Sequence, residues 1–171
     1  YLLRPPLEPD AESAATRSDD WVTIRYDTDG TPLADQPLGG SMVLEMVDWR
    51  QPEGEATAAT LVTRWRLTGP LPLPEEELIA TQPPPGVYNG PRLKVFAHMM
   101  QEDELVDIDD GLWLNPWSLA LGDLIVQFHR FDPSTTKAGP STIRIGLYDP
   151  LSGTRWLTPD GKDMLVVEVG P

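Results

Sequence analysis

The chain contains no cysteine. Disulfides, thiolate metal sites and cysteine nucleophiles are therefore excluded, whatever the compartment. Cations are scarce as well: 13 Lys and Arg stand against 27 Asp and Glu, for a formal net charge of −14. Neutralising a phosphate backbone needs clustered Lys and Arg, so nucleic acid is excluded as a partner. The same charge opposes adhesion to anionic lipid headgroups. No apolar run approaches the roughly 18–20 residues of a membrane span. The chain opens on Tyr1 rather than Met and shows no signal peptide: either a leader was removed or, the reading favoured, this is one soluble piece of a longer protein.

What remains is a chain of 171 residues, enough for one well-buried core and short for two. Pro (19) and Gly (14) together favour many short strands joined by turns over long helices. The most legible stretch is Ser141 to Trp156. Ile143, Ile145 and Leu147 alternate with Thr142, Arg144 and Gly146, the period of a half-buried strand. Asp149, Pro150, Ser152 and Gly153 supply a tight turn, and Thr154 to Leu157 is expected to return as a second strand, with Trp156 capping a sheet edge.

Further strands are expected at Trp21–Tyr26, Ser41–Trp49, Thr60–Thr68, Leu93–Met100, Leu124–Phe131 and Met164–Val169. In the second of these, Val43, Glu45 and Val47 are set against Met42, Leu44 and Met46. In the third, Leu61, Thr63, Trp65 and Leu67 share one face, with Arg64 and Arg66 on the other. Turns are read at Gly122-Asp123 and Pro159-Asp160-Gly161. Residues 1–20 read as a linker or arm, and 21–171 as a single domain with a Pro-rich insertion at about 69–90. The pattern predicts an all-β, two-sheet antiparallel β-sandwich of about eight strands, of immunoglobulin or carbohydrate-binding-module type.

Several of these pieces occur together and in order: Thr63-Arg64-Trp65-Arg66, Val95-Phe96-Ala97-His98-Met99, an acidic turn, Asn115-Pro116-Trp117, Gly122-Asp123, and the hairpin Gly146-Leu147-Tyr148-Asp149-Pro150-Leu151-Ser152-Gly153. The combination resembles the extracytoplasmic C-terminal β-sandwich of bacterial membrane glycosyltransferases of the protein-mannosyltransferase-like type, above all those of green non-sulfur bacteria. It covers roughly residues 41–169, and the GLYDPLSG hairpin is its most specific part. The resemblance implies a non-catalytic accessory domain on the extracytoplasmic face of the membrane, because the catalytic acidic residues of such enzymes lie in loops between membrane helices. Its implied partners are the membrane domain of a parent protein, or a membrane complex, and a glycan or acceptor. The alternatives are a non-enzymatic subunit of another membrane complex, a free-standing carbohydrate-binding protein and, weakest, a free-standing hydrolase.

Candidate chemistry is weighed against structural roles. His98 and His129 are the only histidines, each in a predicted strand. With no Cys, a zinc site would need carboxylates to complete it. No Ser or Thr sits in a nucleophile motif. Both histidines are thus expected to hydrogen-bond at a sheet surface. Glu102, Asp103, Glu104, Asp107, Asp109 and Asp110 place six carboxylates within nine positions, yet the spacing is not that of an EF-hand. Asp27, Asp29, Gly30 and Asp35 are equally incomplete. A solvated acidic turn is favoured over a calcium site, and neither metal nor cofactor is expected. Trp113, Asn115 and Trp117, beside Asp109 and Asp110, form the one candidate ligand site: indole faces for sugar stacking, amide and carboxylate groups for the hydroxyls. Against it stands burial of the indoles in the core, the expected fate of Trp65 and Trp156.

Overall fold

A computed structural model describes residues 2–3, 31–32, 37–52, 58–73, 92–112, 116–132 and 141–169. The strands are β1 (Leu2–Leu3), β2 (Thr31–Pro32), β3 (Pro37–Leu38), β4 (Met42–Arg50), β5 (Ala59–Leu67), β6 (Lys94–Gln101), β7 (Glu104–Ile108), β8 (Leu124–Phe131), β9 (Ser141–Tyr148) and β10 (Leu165–Val169). A single 3-10 turn, Pro116–Ser118, is the only helical element among the described residues. The larger sheet runs β1-β8-β5-β4-β2, with β3 also on β4, and the smaller β10-β9-β6-β7; every pairing is antiparallel. The two-sheet, all-β architecture read from the sequence is the one observed.

One core joins the sheets. Met42, Leu44, Leu61, Trp65, Ile125 and Phe131 of the larger sheet pack with Val95, Ala97, Met99, Ile143, Ile145 and Leu147 of the smaller. Alternation puts these side chains on the inner faces. In β5 the inner face is Leu61, Thr63, Trp65 and Leu67, as expected. The buried Thr63 hydroxyl accepts the Trp65 indole N–H at 3.1 Å, so burying that polar group leaves nothing unpaired. Arg64 and Arg66 on the outer face both pair with Glu45.

Four expectations need correction. In β4 the register slips between Leu44 and Met46, so Glu45 is the extra residue of a bulge. Beyond it Val47 joins Met42 and Leu44 in the core, while Met46 turns to an outer cluster with Val62 and Val126. The acidic stretch is not a plain turn. Glu102 and Asp103, with φ of 48° and 67°, make a two-residue hairpin turn that delivers strand β7. Thr154–Leu157 forms no strand: one bridge, Tyr148 to Arg155, is followed by Trp156 turning into the core against Gly39. The strand that pairs along β9 there is β10. Finally, His129 is wholly buried on the inner face of β8 rather than at a sheet surface. Trp21–Tyr26, the Asp27–Asp29 motif, Asp35 and most of the Pro-rich insertion lie outside the described residues.

Candidate functional site

The acidic residues are divided by the period of the strand that carries them. Residues 107–111 run along β6: Asp109 N–H donates to the Ala97 carbonyl at 3.0 Å, and Gly111 and Val95 exchange hydrogen bonds. Successive side chains of such a segment point to opposite faces. Asp107 and Asp109 reach the larger sheet, where the Asp109 carboxylate accepts the Arg130 amide at 2.6 Å and the Asp107 carboxylate accepts the Asp132 amide at 2.8 Å. The two-residue spacing of the carboxylates matches that of the amides. Among the described residues β1 pairs β8 at Leu124 and Ile125, and these carboxylates cap amides further along the same edge. Gln127 continues the seam, its side-chain carbonyl accepting Leu112 N–H at 3.1 Å. An exposed strand edge is an aggregation hazard, and the acidic spacing closes it.

His129 lies behind this seam with its Nδ1 2.8 Å from the Asp109 carbonyl oxygen. Burial pushes its pKa below the ordinary histidine value, against the raising effect of the Asp109 carbonyl and the Asp109 and Asp110 charges. The ring is therefore neutral at physiological pH, with Nδ1–H as the donor, which leaves Nε2 as a buried acceptor unpaired among the described residues.

Asp110 points the other way. Its Oδ2 accepts the Tyr148 hydroxyl at 3.0 Å, and His98 Nε2 stands 3.3 Å from Oδ1 without hydrogen-bond alignment. Among the described residues no three histidines or carboxylates gather as a metal-binding group.

The GLYDPLSG hairpin supplies the tightest electrostatics. Asp149 takes both Arg92 contacts of a fork, Nε at 2.8 Å and Nη2 at 2.6 Å. It also accepts the Leu151 amide and the Ser152 hydroxyl. The Arg92 guanidinium, and then these hydrogen bonds, hold its carboxyl down at about 2 against the opposing effect of burial. Gly153, at φ 71°, closes the turn in the left-handed region. Gly146 is needed for a different reason: a Cβ there would stand 2.5 Å from the Phe96 ring.

Of the predicted ligand residues, Trp113 and Asn115 lie outside the described residues. Trp117, half-buried in the 3-10 turn, lines an apolar groove of about 440 Å³ with Leu67, Pro70, Leu71, Leu119 and Leu121. Leu121, 68% exposed, stands at its lip. The groove sits where the Gly122-Asp123 turn bonds to Leu67, next to Leu124 at the start of β8. Asp109 and Asp110 are absent from its lining. Asp109 holds β8 five or six residues further along, roughly 17–20 Å away at about 3.3 Å per residue. The predicted indole and carboxylates are thus at two places.

Sequence reasoning missed Arg92, Gln127 and Tyr148. Arg92 and Asp149 are far apart in the chain and carry no local signal for each other. The Asp-x-Asp spacing at 107 and 109 could have suggested edge capping once β7 was recognised as a strand. No family model, curated protein or solved structure matches the chain.

Proposed function

We propose that this chain is a non-catalytic accessory domain on the extracytoplasmic face of a membrane glycosyltransferase, and that it contacts glycan or acceptor at the end of the sandwich carrying Trp117. The observation that carries the reading is the groove itself: an indole in a loop-built apolar depression at the mouth of a β-sandwich. An indole face supplies stacking area for the C–H face of a sugar ring, and a rigid sandwich holds it in place.

The disposition of the carboxylates supports the non-catalytic half. Asp107, Asp109, Asp110 and Asp149 are each engaged in bonds that hold strands or turns together. Glycoside chemistry needs two carboxyl groups facing each other across a substrate cleft, and none of these four is in the groove lining. The family resemblance of the GLYDPLSG hairpin agrees, since Asp149 is committed to Arg92 rather than to a cleft.

The test is calorimetric titration of the chain with oligosaccharides, before and after Trp117→Ala. Loss of binding with the melting temperature kept supports the platform. A large drop in melting temperature places Trp117 among the core side chains and removes the site. The apolar lining favours a second reading, docking of this end on the parent's membrane domain, which predicts no oligosaccharide binding by either protein.

A further inference from the structure

The outer face of the smaller sheet has a separate depression of about 200 Å³, and its character is unlike that of the chain as a whole. In a protein of net charge −14, its lining holds Arg144, Arg155 and His98 and no carboxylate. The floor and flanks are apolar: Phe96, Met100 and Leu105. We propose that this face binds a small organic carboxylate carrying a compact, C–H-rich body.

The three cationic or protonatable groups are neighbours by register. His98 and Arg144 are directly opposed across β6 and β9. Side chains of such a pair share a face about 5 Å apart. Phe96 precedes His98 by two positions, and their ring centroids are 5.0 Å apart. Arg155 then stands over the Phe96 ring, its guanidinium carbon 4.6 Å from the centroid. This stack is built in from the backbone up. Gly146 leaves the space in which the Phe96 ring lies, and Phe96 in turn presents the surface on which Arg155 rests. The glycine of the GLYDPLSG hairpin thereby sets the position of a cation.

His98 already faces the Asp110 carboxylate at 3.3 Å, so the anion contact falls to the two guanidiniums, whose existing partners do not block a ligand. Arg144 meets Asp103 at 3.0 Å, but Asp103 is 93% exposed. Arg155 meets Asp163 at 2.8 Å, with both side chains more than a third exposed. Exposed pairs of this kind are worth about 0–1 kcal/mol, so exchanging one carboxylate for another costs little. Each guanidinium uses one terminal nitrogen in its pair, Nη2 of Arg144 and Nη1 of Arg155. A guanidinium carries five N–H donors in a planar fork, so each keeps further donors for an incoming anion. The apolar side of the depression selects against a bare, strongly hydrated anion, because covering the exposed Leu105 rewards a ligand with C–H surface of its own.

Titration of the whole chain with butyrate, glucuronate, glucose and inorganic phosphate, followed by NMR of backbone amide and Arg Nε–H signals, tests the site. Both carboxylates are expected to move the signals of Phe96, Arg144 and Arg155, while glucose and phosphate leave them in place. A stronger response to glucuronate assigns a sugar acid, and a stronger response to butyrate an aliphatic one. Arg144→Gln is expected to weaken binding tenfold or more, in line with the loss of about 1.5–3 kcal/mol for a hydrogen bond to a charged group. Arg144→Lys, which keeps the charge and loses the fork, is expected to fall between. No response to either carboxylate, an equal response to phosphate, or wild-type affinity in Arg144→Gln would overturn the proposal. Trp117→Ala is expected to leave these shifts unchanged, so the groove and this face stand or fall separately.

Discussion

The GLYDPLSG turn and the Trp117 groove differ in how strongly their residues are committed. In the turn, Asp149 and Arg92 are about nine-tenths buried and bonded to each other through a fork. Gly146 fits under Phe96, Tyr148 reaches Asp110, and Gly153 takes a positive φ. The groove is built from leucines, prolines and one indole, with Leu121 left largely in solvent. The most distinctive stretch of sequence is therefore a structural lock, and the surface open to a partner is written in ordinary residues. A motif's specificity measures how many constraints meet there, and packing constraints count as fully as chemical ones.

The difference can be broken first at the lock. Asp149→Ala removes both fork contacts of the Arg92 guanidinium and the acceptor of the Leu151 amide and the Ser152 hydroxyl. Removing one member of a buried pair costs about 3–5 kcal/mol. Urea unfolding is expected to show a loss of that order with the slope unchanged.

Gly146→Ala comes next. The added methyl overlaps the Phe96 ring edge and the Asp163 carbonyl. Overpacking of this kind costs about 1–3 kcal/mol. Because Arg155 rests on Phe96, the same substitution is expected to shift the Arg155 Nε–H signal.

Acid separates the lock from the seam. The folded Asp149 pKa is depressed to about 2 from 3.8. Its contribution, about 2 kcal/mol at 1.36 kcal/mol per unit, is fully present above the unfolded value and is lost as pH falls toward the folded one. His129 acts in a higher window. Its folded pKa lies below 6.5, so below that value the unfolded chain takes up a proton that the folded chain refuses, and stability drops as pH falls. Melting temperature against pH is expected to decline in two limbs. Asp149→Asn is expected to flatten the lower limb and leave the upper one intact.

Legibility follows the same division. Strands β5 and β9 could be read nearly to the residue because one face of each is buried and the other largely polar, so alternation reports burial. β8, in contrast, turns Val126 and Phe128 outward and His129 inward, so only its bounds were legible. β4 was misread beyond Glu45 because a bulge changes the face of every later side chain and leaves no mark in composition. β7 was hidden by its charge: Glu104 and Asp107 suit an edge strand, yet they depress strand propensity. Trp156 lies in the core as expected, but it arrives there beside Gly39 after a single bridge at Arg155 rather than along a second strand. At the candidate site the sequence marked Trp117 and the carboxylates as notable, but their separation along β8 depends on pairings that no local pattern encodes.

The smallest structural effect is expected in the groove. Trp117 is half-buried at the surface, so Trp117→Ala is expected to cost well below the roughly 3–5 kcal/mol of a core aromatic. The most direct test measures melting temperature and oligosaccharide affinity together, for Trp117→Ala and Asp149→Ala side by side. The account predicts a crossed result: Trp117→Ala loses affinity and keeps its melting temperature, while Asp149→Ala loses melting temperature and, below it, binds as the native chain does. An Asp149→Ala protein that melts normally but no longer binds would make the hairpin the ligand site and contradict the assignment of the two regions.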